Sequence, residues 1–156
     1  MKKLKRRALA ICFASGGLAW LGIRWGNSRT TPTHLLGPQQ AQLLDCPDSP
    51  NCVSTTASRP ENHIEPIAFT ETVDAAKRKL ESIIRAMPGS RIVRSENLYI
   101  HAEYRSRVLG FVDDLEVLLD EAQKLIFLRS SSRIGYSDLG VNRKRTEQIR
   151  RLFAEP

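Results

Sequence analysis

Three acids crowd into four residues of an otherwise apolar run, where Asp113, Asp114 and Glu116 interrupt Phe111, Val112, Leu115, Val117, Leu118 and Leu119. In a strand, successive side chains point to opposite faces. Asp114 and Glu116 therefore share one face, and Asp113 sits on the other with Phe111, Leu115 and Val117. A carboxylate among apolar neighbours needs a partner or it protonates. The nearest guanidinium groups by sequence are those of Arg105, Arg107, Arg129 and Arg133. If the flanking strands pair with this one, a single sheet face presents His101, Arg105, Arg107, Asp114, Glu116, Arg129 and Arg133. Such a face can hold an anionic or sugar-like ligand between arginines. Alternating charge is also how a solvated antiparallel face looks, and ion pairs there contribute little.

The segment after this run is denser in polar groups. Arg129 to Arg145 contains Arg129, Arg133, Arg143, Lys144 and Arg145, the serines 130–132, and Tyr136, Ser137, Asp138 and Asn142, with Gly135 and Gly140 between them. The candidate ligand-binding residues are therefore Arg105, Asp113, Asp114, Glu116, Arg129, Ser131, Arg133, Tyr136, Asp138, Asn142, Arg143 and Arg145. Backbone amides at the start of a following helix, beside Arg143 and Arg145, would add to an anion site. The bland alternative is a loop whose Ser and Asp cap their own turns, with Asn142 capping the helix. A serine nucleophile elbow is disfavoured, because Leu139 stands where glycine should follow Ser137. The acids could serve acid–base chemistry on a glycan, but neighbours on one strand are poorly placed to flank a bond. Catalytic residues are not assigned.

Cys46 and Cys52 bracket Pro47-Asp48-Ser49-Pro50-Asn51, and two cysteines closing so short a loop fit a disulfide in an oxidising compartment. Five intervening residues are too many for the usual zinc spacing, so no metal or other cofactor is called for.

The elements that must position these residues follow from periodicity. Residues 26–45 read as a linker, and the polar stretch to residue 62 continues as irregular chain. Ile64–Phe69 is β-like. Glu71–Met87 carries an apolar stripe at helical spacing, with Thr70 or Thr72 as N-cap and Pro88-Gly89 as the stop. Arg91–Arg94, Leu98–Arg107, Phe111–Asp120 and Leu125–Arg133 read as strands, the last three as an antiparallel meander. A final helix covers about 142–153 with a narrow stripe at Ile149, Leu152 and Phe153. This order predicts an α+β two-layer sandwich. It has an antiparallel sheet of about four to five strands, two helices on one face, and the other face open to solvent or ligand.

Charge places the chain. The net charge is +7, but residues 1–29 hold seven of the 24 basic residues and no acid, leaving 17 of each sign beyond them. A nucleic-acid binder carries its basic excess on the folded domain, so nucleic acid is excluded as the main partner. Lys2–Arg7 are a positive flank, and Ala8–Ile23 are sixteen residues without charge. About 20 apolar residues span a bilayer, so this run is borderline between a signal peptide and a signal anchor. Trp20 and Trp25 suit the far interface of an anchor, and Trp20 is a poor residue just past a cut after Ala19. The expected organisation is a hydrophobic helix within 1–25, a linker over 26–45 and one domain over 46–156. Residues 8–23 would hold it in the inner membrane, single-pass, with the domain in the periplasm. The alternative is release to the periplasm after cleavage.

Three blocks carry a resemblance: Cys46–Ser54, Phe111–Glu116 and Arg129–Arg145. Together they resemble the domain-of-unknown-function family numbered fourteen ninety-nine, over roughly residues 44–154. The resemblance implies a bacterial protein, often exported or membrane-attached, and supplies no activity. The functional expectation is an envelope module that binds an anionic ligand or a partner protein through Arg129, Arg133, Arg143 and Arg145, with the acids holding those arginines. Arg133→Ala would then weaken binding and leave the fold intact. The rivals are an enzyme acting on an envelope glycan or lipid, and a scaffold whose polar motif serves folding.

Overall fold

A computed structural model describes residues 19–27, 29, 30, 32, 35 and 42–155. Six strands form one antiparallel sheet: β1 (Cys52–Ser54), β2 (Ile67–Ala68), β3 (Ser90–Glu96), β4 (Tyr99–Arg105), β5 (Val112–Asp120) and β6 (Leu125–Ser132). Their order is β1-β6-β5-β4-β3, and β2 also pairs with β6. The meander is as its alternation predicts. The sheet is larger than the expected four to five strands, because β1 and β2 share the edge of β6, β1 against 129–131 and β2 against 125–126. Three residues of β1 are too few for a period-2 signal, so the segment reads as irregular chain until its partner is known.

Helix α1 (Val73–Ala86) begins at Thr72, whose hydroxyl accepts from the Ala75 amide at 3.3 Å. Ala76, Leu80 and Ile84 are its buried stripe, and the chain leaves it through Gly89 in the left-handed region. Helix α2 (Val141–Ala154) packs beside α1 and against β6 and β1. Its buried residues are Asn142, Arg145, Thr146, Ile149 and Phe153. The stripe that looked short in apolar residues is thus continued by polar ones at the same helical spacing. Between sheet and helices lies the core, with Ile100, Ala102, Tyr104, Leu115, Val117, Ile126 and Leu128 from the strands.

The opposite face differs from expectation. Tyr99, His101, Asp114, Glu116 and Arg129 are all buried there rather than open to solvent.

Most of the expected hydrophobic N-terminal helix falls on residues 1–18, outside the described residues. Residues 19–27 are helical. Among the described residues no helix is long and apolar enough to cross a membrane. Cys12 also lies outside them. Cys46 and Cys52 form a disulfide with Cα atoms 5.7 Å apart. Closing so short a loop restricts the unfolded chain modestly, so reduction is expected to cost about 2 kcal/mol. Thermal melts with and without reductant would read this as a lowered Tm. An unchanged Tm would show that Arg59, which donates to the Pro47 carbonyl at 2.6 Å, suffices to hold the turn.

Candidate functional site: a charged sheet face beside a polar pocket

Register decides which charges meet. Glu103 lies opposite Asp114, Asp114 opposite Ser131, and Glu116 opposite both His101 and Arg129. Arg133, just past β6, reaches back across the sheet. Its Nε donates to Asp114 Oδ2 at 2.8 Å and its Nη2 to Asp114 Oδ1 at 2.8 Å. Nη2 also donates to Glu103 Oε1 at 2.5 Å, and Nη1 to the Thr30 carbonyl. This is the planar fork that suits arginine and not lysine. His101 Nε2 lies 2.7 Å from Asp114 Oδ1, and Arg91 holds the other Glu103 oxygen at 2.9 Å.

Burial pushes the Asp114 carboxyl up, but the Arg133 guanidinium and His101 outweigh it and hold the group below the usual carboxylate range. Glu103 behaves alike: burial raises it, and Arg133 and Arg91 bring it down further. Both stay ionised at neutral pH. Along the same face, Glu116 accepts from the Tyr99 hydroxyl at 2.8 Å and from Arg129 at 3.1 Å.

Asp113 is on the helix side, as alternation requires, but its partner is none of the four arginines nearest in the sequence reading. Arg145 of α2 donates to Asp113 Oδ2 at 2.7 Å, and the Ser132 hydroxyl to Oδ1 at 2.6 Å. Arg145 also donates to Ser130 Oγ at 2.9 Å and to Asn142 Oδ1, and its guanidinium stacks 4.3 Å from the Tyr104 ring centroid. Burial pushes the Tyr104 hydroxyl up to about 12 against the opposing pull of Arg145. Asn142 does not cap the helix. Its side-chain amide donates to the Asn51 carbonyl at 2.9 Å and to Ser132 Oγ at 3.1 Å. Capping falls to Asp138, whose carboxylate accepts from the amides of Gly140 at 2.9 Å and Asn142 at 2.7 Å. Gly140 stands at the N-cap with φ of 77°, a conformation glycine reaches without strain.

The twelve candidate residues therefore divide. Asp114, Glu116, Arg129, Ser131 and Arg133 gather on one face. Asp113, Asn142 and Arg145 knit α2 to the sheet on the other, and Asp138 caps α2. Arg143 is spent on the backbone carbonyls of His63 at 3.1 Å and Glu61 at 2.6 Å. Tyr136 is 75% exposed, and Arg105 is exposed at the end of β4.

On the first face a pocket of about 260 Å³ opens, lined by Asp114, Arg129, Ser131 and Arg133. Its far wall is the disulfide turn, with Pro47, Ser49 and Asn51, and Pro32 and Leu35 add an apolar edge. Asn51 clamps that wall to the Arg/Ser loop by donating to the Gly135 carbonyl at 2.6 Å, while Ser49 donates to Asn51 Oδ1 at 2.6 Å. Sequence reasoning missed Asn51 and Glu103. Asn51 sits inside the Cys–Cys turn, where an asparagine reads as turn chemistry, and Glu103 lies in the alternating pattern of β4 on the face already marked as charged. Among the described residues, no group of three or more His, Cys, Asp or Glu is placed to hold a metal ion.

Residues 42–153 match a family described as proteins of unknown function, DUF1499. No curated protein and no solved structure matches the chain.

Proposed function

The chain belongs to the DUF1499 family, and from that premise we propose that it is a non-enzymatic binding module of the bacterial envelope. Its ligand is a small hydroxylated acid about the size of one sugar ring, held in the pocket beside Arg129 and Arg133. The observation that carries this reading is the convergence of Asp114, Arg129, Ser131 and Arg133 on one pocket of about 260 Å³. That volume lies below the range of roughly 300–1,000 Å³ for drug-sized ligands, so the occupant is smaller. The positive charge of Arg129 and Arg133 in the pocket wall suits a carboxylate, and the Asp114 carboxylate and serine hydroxyls suit ligand hydroxyls. The disulfide and the basic, then uncharged, N-terminal run support an exported domain tethered through residues 8–23.

Catalysis is the weaker reading. Asp113 and Asp114 point to opposite sheet faces, so they do not flank one bond. Asp114 is held ionised by Arg133 and His101, which unsuits it as a general acid at neutral pH.

Glucuronate and glucose titrated into the isotope-labelled full chain in micelles, followed by amide NMR, test the proposal. Glucuronate is expected to shift the amides of residues 131–135 with a Kd of about 1 mM, corresponding to about −4 kcal/mol. Glucose should bind more weakly. Ser131→Leu, which fills the pocket and removes no charge, should abolish the shifts and leave the unfolding free energy within about 0.5 kcal/mol of wild type. No shift at 131–135 with either sugar, or equal shifts in the variant, would overturn it.

A further inference from the structure

The β4–β5 turn carries a feature that the pocket does not use. Val108 is 65% exposed, Leu109 37% and Phe111 40%, three large apolar side chains at one hairpin tip. An arginine-lined groove lies beside this turn. Arg24, Arg91, Arg105 and Arg107 line a groove of about 500 Å³ whose one acid is Glu103. Glu103 is already held between Arg91 at 2.9 Å and Arg133 at 2.5 Å. Among the described residues Arg105 and Arg107 have no carboxylate partner.

The helical segment 19–27 is fastened to this same turn. Arg24 Nη1 donates to the carbonyls of Arg107 and Val108, the latter at 3.4 Å, and Asn27 Nδ2 to that of Leu109 at 2.9 Å. Gly110, at φ of 70°, lets the two backbones meet, since a Cβ there would lie 2.8 Å from the Arg24 carbonyl oxygen. The helical segment itself exposes Trp20, Leu21, Ile23 and Trp25. Arg29 stacks over the Trp25 ring at 3.8 Å.

Apolar tips, tryptophans and two arginines without a carboxylate partner, gathered at one end, are the composition of a surface that meets lipid headgroups. A soluble protein partner would need a complementary acidic and apolar patch. A bilayer with anionic headgroups supplies both properties, and the described end of the uncharged run, residues 19–23, belongs to the helical segment fastened at this turn. We infer that the domain docks on the anionic lipid surface of its own membrane, with Val108, Leu109 and Phe111 entering the interface and Arg105 and Arg107 against lipid phosphates. The domain is then held against the bilayer rather than swinging on its linker. This rests on the anchor part of the proposed function and not on the pocket.

The test uses the full chain with Cys12→Ser, Cys46 and Cys52 remaining oxidised. A fluorophore is attached through Val108→Cys or, as control, Ala122→Cys in the β5–β6 turn. The nine residues of β5 put these turns about 30 Å apart. Proteoliposomes of phosphatidylcholine, with or without phosphatidylglycerol, carry doxyl-labelled lipid as quencher. Strong quenching at position 108, weak quenching at 122 and dependence on phosphatidylglycerol are expected. Arg105→Gln with Arg107→Gln should lower the docking equilibrium constant about fivefold for each charge removed. An unchanged near-UV circular dichroism spectrum would show that the fold persists.

Equal quenching at 108 and 122, or quenching indifferent to lipid charge and to the arginines, would overturn the inference. So would a label at 108 buried only when an envelope protein is added. Failure of the anchor reads differently: the chain then leaves the vesicles in an alkaline wash, before any quenching is measured.

Discussion

Arg133→Ala is expected to destabilise the domain by about 3–5 kcal/mol, enough to unfold a marginal protein of this size. The side chain is almost wholly buried and serves two carboxylates that are themselves mostly buried, Asp114 and Glu103. Removing it leaves both without their main cation, and an uncompensated buried charge costs far more than the intact pair contributes. The sequence-level expectation that this variant would weaken binding and keep its fold needs an exposed arginine; with Arg133 buried, binding is tested by Ser131→Leu and this variant reads stability. Arg133→Met tests the electrostatic part, since it preserves much of the volume.

The pH dependence follows from the depressed carboxylates. Their stabilisation is present in full above the ordinary values of 4.5 for Glu103 and 3.8 for Asp114, and is lost as pH falls through their lower folded values. His101 and Arg91, which also face these acids, sustain part of it. The gap between wild type and Arg133→Met in urea unfolding should therefore be wide at neutral pH and narrow on acidification. A small gap, or one constant with pH, would show that Arg133 does not hold these acids ionised.

The meander β4–β6 and α1 were legible because period-2 and 3.6-residue patterns over seven or more residues leave few alternatives. Tyr99, His101, Glu103 and Arg105 fall on the side opposite Ile100, Ala102 and Tyr104, as alternation requires. Local pattern could not supply which charges pair across the sheet. Asp113 finds Arg145, 32 residues on, because α2 packs against β6, the neighbour of β5. Nor could it tell a solvated face from a buried one, because alternating charge is common to both. The burial of Glu116 and Arg129 is a tertiary fact. A further clue was present but unread. Asn142, Arg145 and Thr146 continue the stripe of Ile149 and Phe153, and polar residues on the buried side of a helix mark a network.

That network yields the second large effect. Arg145→Ala is expected to cost about 3–5 kcal/mol, because Asp113 keeps only the Ser132 hydroxyl when the guanidinium is gone. The stacking on Tyr104 is lost as well, and a desolvated contact of that kind contributes about 2 kcal/mol within this total. Asp113→Asn separates charge from shape. Asparagine can still accept from Ser132 and does not strand Arg145 as a cation without acceptors, since Ser130 and Asn142 remain. It should cost clearly less than Arg145→Ala. The two substitutions combined should fall short of additivity by about 1–3 kcal/mol in chemical unfolding, the range for residues in direct contact. Additive costs would mean that Asp113 and Arg145 contribute separately. The link from β5 to α2 would then run through Ser130, Ser132 and Asn142 alone, and α2 would be held by Ile149 and Phe153 with hydroxyl and amide contacts at its N-terminal end.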